Sequence, residues 1–128
     1  MIVVDASVII AFLDGTDSHH RRAVAALTTA SSERLIVPAS AYAEILVGVF
    51  RRGASAISVV DEILTELAMH VEPITAEIAR RAAALRAAHR GLRLPDALGL
   101  ATGDVLAAVS VLTADRLWPR VSRRARLV

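Results

Sequence analysis

The first ten residues, Met1-Ile2-Val3-Val4-Asp5-Ala6-Ser7-Val8-Ile9-Ile10, decide how the chain is read. Ile2 to Val4 is a continuous β-branched run, the pattern of a short strand buried on both faces of a parallel sheet. Asp5 then places a carboxylate in a setting that otherwise reads as buried, where an uncompensated charge is costly. Two readings are open from the residues alone. Asp5 is either the N-cap of a helix expected over Ser7 to Leu13, or one of a group of acids that needs a cation.

Outward from that strand, apolar spacing alternates between periods. Helices are expected from Ser18, as cap, to about Ala30, and from Ser40 or Ala41 to about Arg52, ended by Gly53. Further helices are expected over Ser55 to Ala68, from a Thr75 cap to about Arg90, and from Pro95 to about Leu106. Short strands are expected at Leu35 to Val37, His70 to Ile74 and Val109 to Thr113, with a fragment of a fifth at Leu127-Val128. Strands alternating with helices imply an α/β fold with a parallel sheet covered on both faces. In such sheets the binding crevice lies beyond the carboxyl ends of the strands. Asp5 falls at one such end and Asp115 just past another.

A length of 128 residues suits one domain. Hydrophobic residues make up 55% and mean hydropathy is +0.52, more than a small globule hides. Apolar surface is therefore expected to be covered by another chain. Aromatics are only 3%, which argues against base-stacking platforms. The ten uncharged residues from Val105 to Ala114 fall well short of a membrane span. The N-terminus lacks the basic lead of a secretory signal. There is no cysteine, which removes disulfides and thiolate chemistry. Together these point to a cytoplasmic protein. All fifteen basic residues are arginine, whose fork suits phosphate. A net charge of +2 gives only a weak global field. Five arginines crowd into Arg116 to Arg126, either as a solvated tail or as an edge that tracks phosphates.

Four carboxylates recur in apolar or strand-end settings: Asp5, Glu44, Asp96 and Asp115. Glu44 has Ala43, Ile45 and Leu46 beside it, neighbours that weigh against a plain exposed position. Asp96 follows Pro95 in a first helical turn, where an acid also suits the macrodipole. Asp115 also suits an ordinary turn. Brought together, the four repel one another unless a cation joins them. Oxygen donors select Mg²⁺ or Mn²⁺ over zinc. Asp104, late in its helix, is an ambiguous extra. His19, His20, His70 and His89 lack zinc-site spacing, and no nucleophile elbow or phosphate-cradling glycine loop is present. Metal-assisted hydrolysis is the reaction class most compatible with these acids.

With those residues in view the chain resembles a known family. Asp5 in VVDASV, Glu44 in AYAEIL, Asp96 in LRLPDALGLAT and Asp115 in LTADRLW look like the four acidic positions of PIN-domain ribonucleases. Size and element order are similar to VapC-type toxins of bacterial toxin–antitoxin pairs. Ser7 and Thr113 match hydroxyl positions beside the acids. The resemblance covers essentially the whole chain, residues 1–128 as a single PIN domain. It implies a PIN-like three-layer α/β/α sandwich with a short, mainly parallel central sheet. It further implies an Mg²⁺-dependent endoribonuclease, with Mn²⁺ as substitute, that hydrolyses RNA with metal-activated water. Asp5 and Asp96 would be the main ligands, Glu44 and Asp115 would complete the cluster, and Arg116 would hold a flanking phosphate. A VapB-type antitoxin and a homodimer are the implied partners. A housekeeping RNA-processing nuclease without antitoxin and a non-catalytic PIN-like interaction module are the alternatives. The chain departs from the family at Leu106-Ala107-Ala108, where a glycine turn is common, and at Gly99 and Gly103, where larger residues are usual. Those departures leave the ending of the helix begun at Pro95 open.

Overall fold

A computed structural model describes residues 1–128, apart from the side chain of Ala54. Strand β1 is Ile2–Val4, followed by α1 at Ala6–Leu13 and α2 at His20–Thr29. Strand β2 is Leu35–Pro38, α3 is Ala39–Arg52, α4 is Ile57–Glu66 and β3 is Met69–Glu72. Helices α5 at Ala76–Ala88 and α6 at Leu94–Val105 precede β4 at Ser110–Thr113, α7 at Trp118–Val121 and β5 at Ala125–Leu127. Short 3-10 turns occupy Ala30–Ser32 and Ala54–Ala56.

The five strands form one sheet in the order β3-β2-β1-β4-β5, and every neighbouring pair is parallel. The expected mainly parallel sheet is thus wholly parallel. Strand alternation sends Val4, Leu35 and Val37 to one face, where α1, α2, α3 and α4 cover them. Val3, Ile36 and Val111 point to the other face, onto α5, α6 and Trp118. The result is a three-layer α/β/α sandwich. Because β2 and β4 flank β1 on opposite sides, the chain reverses its winding direction there. The gap between the carboxyl ends of β1 and β4 is therefore the switch point at which such sheets bind ligands.

Where element ends differ from the sequence expectation, local chemistry explains it. Helix α2 starts at His20 because the Asp17 carboxylate accepts from the His19 amide (2.7 Å), while the Ser18 hydroxyl meets the His19 ring. Strand β3 stops at Glu72, before Pro73, which has no N–H to give the ladder. The C-terminal arginines are not a free tail: they lie on α7, on the edge strand β5 and in the turns beside them. Trp118 anchors α7 in the core, and Ala125–Leu127 completes the sheet. Arg124 is drawn inward to the Ala108 carbonyl and Asp104, and Arg126 bonds the carbonyls of Arg123 and Ala125.

The turn after α6 resolves the question raised by Leu106-Ala107-Ala108. The Ala108 amide donates to Gly103 O (2.9 Å) and the Ala107 amide to Asp104 O (3.2 Å). That is a Schellman ending, with its left-handed position filled by Ala107 at φ 50° rather than by glycine. An L-residue there is strained. Ala107→Gly should therefore stabilise the fold by about 0.5–1 kcal/mol, read as a raised midpoint in urea at unchanged m-value.

Candidate active site

Asp5 leaves β1 and supplies the N-cap backbone of α1, with its carbonyl accepting from the amides of Val8 and Ile9. Its side chain does not cap that helix. Instead Oδ2 accepts from Ser7 Oγ (2.5 Å) and from Thr113 Oγ1 (3.1 Å), the latter at the end of β4. The two hydroxyls are oriented in turn. Ser7 Oγ accepts from the Ala114 amide (3.0 Å) and Thr113 Oγ1 from the Asp115 amide (3.0 Å). With backbone donors on their lone pairs, both hydroxyls direct their protons at Asp5. The β1–β4 pairing thus sets the carboxylate in place, helped by the Asp5 amide bonding Leu112 O (2.9 Å).

Asp5 is 9% exposed. Burial pushes its carboxyl above the ordinary aspartate value, and the nearby Glu44 charge adds to this. The hydrogen bonds from Ser7 and Thr113 and the Ala6 amide act in the opposite direction without overcoming desolvation. The carboxylate is held in a geometry suited to its anion, and among the described residues it forms no ion pair.

Asp96 lies in the first turn of α6 and is 8% exposed. Arg93, the N-cap residue of α6, lays its guanidinium on it: Nε to Oδ2 is 3.1 Å and Nη2 to Oδ1 is 3.4 Å. The Asp96 carboxylate holds Arg93 above its ordinary value, and the charges of Glu44 and Asp115 reinforce it. One guanidinium therefore senses three of the four acids, and Asp5 senses Glu44. Arg93 was absent from the residues singled out by sequence. Its signal was an arginine three positions before a first-turn aspartate, a spacing that brings helical side chains together.

Glu44 on α3 is exposed, contrary to what its apolar neighbours suggested. Ile45 turns into the core while Glu44 points outward, at the rim of an apolar groove between α1, α3 and α4. Asp115 is half-buried, and its Oδ1 accepts from the Leu117 amide (2.8 Å), so one oxygen serves the turn into α7. Arg116 is exposed beside it. Asp104 is set apart, paired to Arg81 (2.7 Å) and Arg124 (3.6 Å) at the far end of α6 from Asp96. Eight helical residues, about 12 Å, separate those two acids.

Among the described residues, no three acids or histidines stand close enough to clasp an ion together. The donor chemistry still fits a hard divalent cation. Every candidate is a carboxylate, two are buried, and Mg²⁺ commonly takes one or two carboxylates with water filling the rest.

A parallel sheet with an acid at its switch point defines a broad structural class. A family model narrows it: that of the PIN domain matches residues 2–124, and the chain belongs to the PIN domain family. No curated protein matches significantly. Several solved structures share the fold. A toxin–antitoxin complex from Klebsiella pneumoniae superposes with TM-score 0.72 at 24% identity, over 90% of this chain and 87% of that one. VapBC2 from Rickettsia felis, solved on a DNA fragment from its promoter, gives 0.77 at 14% identity, over 99% and 98%. Mycobacterium tuberculosis VapC20, a toxin that cleaves the sarcin–ricin loop, gives 0.71 at 21% identity, over 87% of both chains.

Proposed function

We propose that residues 1–128 form a single PIN domain acting as a metal-dependent endoribonuclease, the toxin of a type II toxin–antitoxin pair. The observation that carries this reading is the Asp5 carboxylate, buried at the switch point and gripped by Ser7 and Thr113. A purely structural aspartate at that position would turn back to cap α1, and this one does not. The family match and the toxin–antitoxin neighbours support the same reading.

In this mechanism Asp5 and Asp96 would hold Mg²⁺ or Mn²⁺, with Glu44 and Asp115 completing the cluster. The ion, when bound, supplies an acidified water and offsets charge on the phosphoryl transition state. Ser7 and Thr113 hold the Asp5 carboxylate at the β1–β4 crevice, so its anion stays directed there. Arg116 lies at the edge, where an exposed fork suits a flanking phosphate. In-line attack would leave a 5′-phosphate and a 3′-hydroxyl.

The apolar groove beside Glu44, lined by Ile10, Leu13, Ile45, Val49, Val60 and Ile63, supports a protein partner there. A VapB-type antitoxin is the partner proposed. Exposed Val47 and Phe50 on α3 are further apolar surface for a homodimer.

Cleavage is tested directly with purified chain and total RNA. Activity should disappear with EDTA and return on adding Mg²⁺ or Mn²⁺, with cleavage ends mapped by sequencing. Cleavage that persists in EDTA removes the metal from the mechanism. A short reading frame beside the gene, whose product binds the chain and silences it, separates the toxin from a housekeeping nuclease.

A further inference from the structure

Arg93 carries a role beyond those assigned above. Its backbone is fixed, because the Arg93 carbonyl accepts from the Ala97 amide (2.9 Å) at the start of α6. Its side chain is 69% exposed, whereas the Asp96 side chain it pairs with is only 10% exposed. An ordinary surface pair has both partners in solvent and contributes little. Here a buried acid is neutralised by a solvated arm on a fixed base. Among the described residues, Arg93 is the one cation paired with Asp96. A fork that leaves Asp96 returns to water at little cost, while the acid it leaves must find another cation at once.

We propose that Arg93 is a displaceable counter-cation for the acids. It covers Asp96 while no ion is present, yields the carboxylate when a divalent cation is held there, and then offers its freed fork to a phosphate of the RNA. This rests on the metal-dependent nuclease reading. It deepens that reading by naming the residue that links ion binding to substrate binding. The guanidinium geometry matches both tasks, since the same planar pair of N–H groups suits carboxylate and phosphate alike.

The test is isothermal titration of the metal-free chain with Mn²⁺, comparing wild type, Arg93→Gln and Arg93→Lys. Removing a unit charge that competes at the carboxylate should tighten Mn²⁺ binding about fivefold in Arg93→Gln. Arg93→Lys keeps the charge but loses the two-point grip, and should fall between the other two. At saturating Mn²⁺, Arg93→Gln should raise the KM for RNA about tenfold through the lost phosphate contact. If Arg93→Gln binds Mn²⁺ no tighter than wild type, the counter-cation role is overturned and the nuclease reading stands. An Arg93→Lys curve superimposed on wild type means that charge alone acts at a distance, and overturns displacement of the fork. An unchanged KM overturns the phosphate role. If wild type takes up no Mn²⁺ at all, the metal-dependent reading falls and this proposal with it.

Discussion

Asp5→Asn should lower RNA cleavage by about a thousandfold or more, and in the absence of metal should make the protein more stable rather than less. The two effects arise from one cause. Asp5 is buried and its carboxyl is held above the ordinary value of 3.8, chiefly by desolvation. A carboxyl raised in the folded state binds its proton more tightly there than in the unfolded chain. Its contribution to stability is therefore full below about pH 3.8 and is lost as pH rises through the higher folded value. Above the ordinary aspartate value, and so at neutral pH, the metal-free fold carries the desolvation of the Asp5 carboxyl as a burden. Asparagine removes that charge and keeps an oxygen to accept from Ser7 and Thr113. For a chain of this length each kcal/mol gained raises Tm by about 3–5 °C. Thermal unfolding in EDTA, alongside a cleavage assay in Mg²⁺, reads both. An Asp5→Asn variant that loses activity together with stability would mark Asp5 as a structural residue. Asp96→Asn should match the loss of activity.

The second large effect is on the fold. Trp118→Ala should cost about 3–5 kcal/mol and lower Tm by more than about 10 °C. The Trp118 indole is fully buried in the core layer beneath α6. Its packing depends on Gly99, because a methyl group there would stand 2.7 Å from indole Cη2. Gly99→Ala, which in most helix interiors gains about 1 kcal/mol, should here lose about 1–3 kcal/mol through overpacking. Trp118→Phe is a milder change. Among the described residues no group accepts from the indole Nε1–H, and the smaller ring clears the space over Gly99. Combined with Trp118→Phe, Gly99→Ala should become neutral or stabilising. The double-mutant cycle should then report a coupling of about 1–3 kcal/mol. Additive effects would show that the close approach of Gly99 and Trp118 does not hold in solution.

That pair also shows what the sequence hid. The apolar runs at Ile2–Val4 and Leu35–Val37 were legible because a parallel strand buried on both faces leaves a continuous apolar signature. Thr75 was legible as a cap, and its hydroxyl does accept from the Ile78 amide (3.2 Å). Ser7 and Thr113 were singled out only through the family resemblance. The structure hydrogen-bonds both to Asp5. The fifth strand was expected at Leu127-Val128 and lies at Ala125–Leu127, but α7 before it was not legible. Five arginines masked one tryptophan, and a four-residue helix has no period to detect. Gly99 and Gly103 read as departures from the family pattern that left the ending of α6 open. In space they are clearances, the first for Trp118 and the second for Val111, whose Cγ2 would collide with an added methyl. Glu44 misled because sequence neighbours on a helix face different ways.

The bond between Thr113 and Asp5 spans 108 positions. Polypeptides emerge from the ribosome N-terminus first. Until β4 is made, β1 is therefore without that neighbour, and Asp5 lacks one of the two hydroxyls that grip it. A chain still being made holds an unfinished crevice. The proposed cutting activity can begin only once β4 has been made and has docked beside β1, so the blade is not whetted by its own first half.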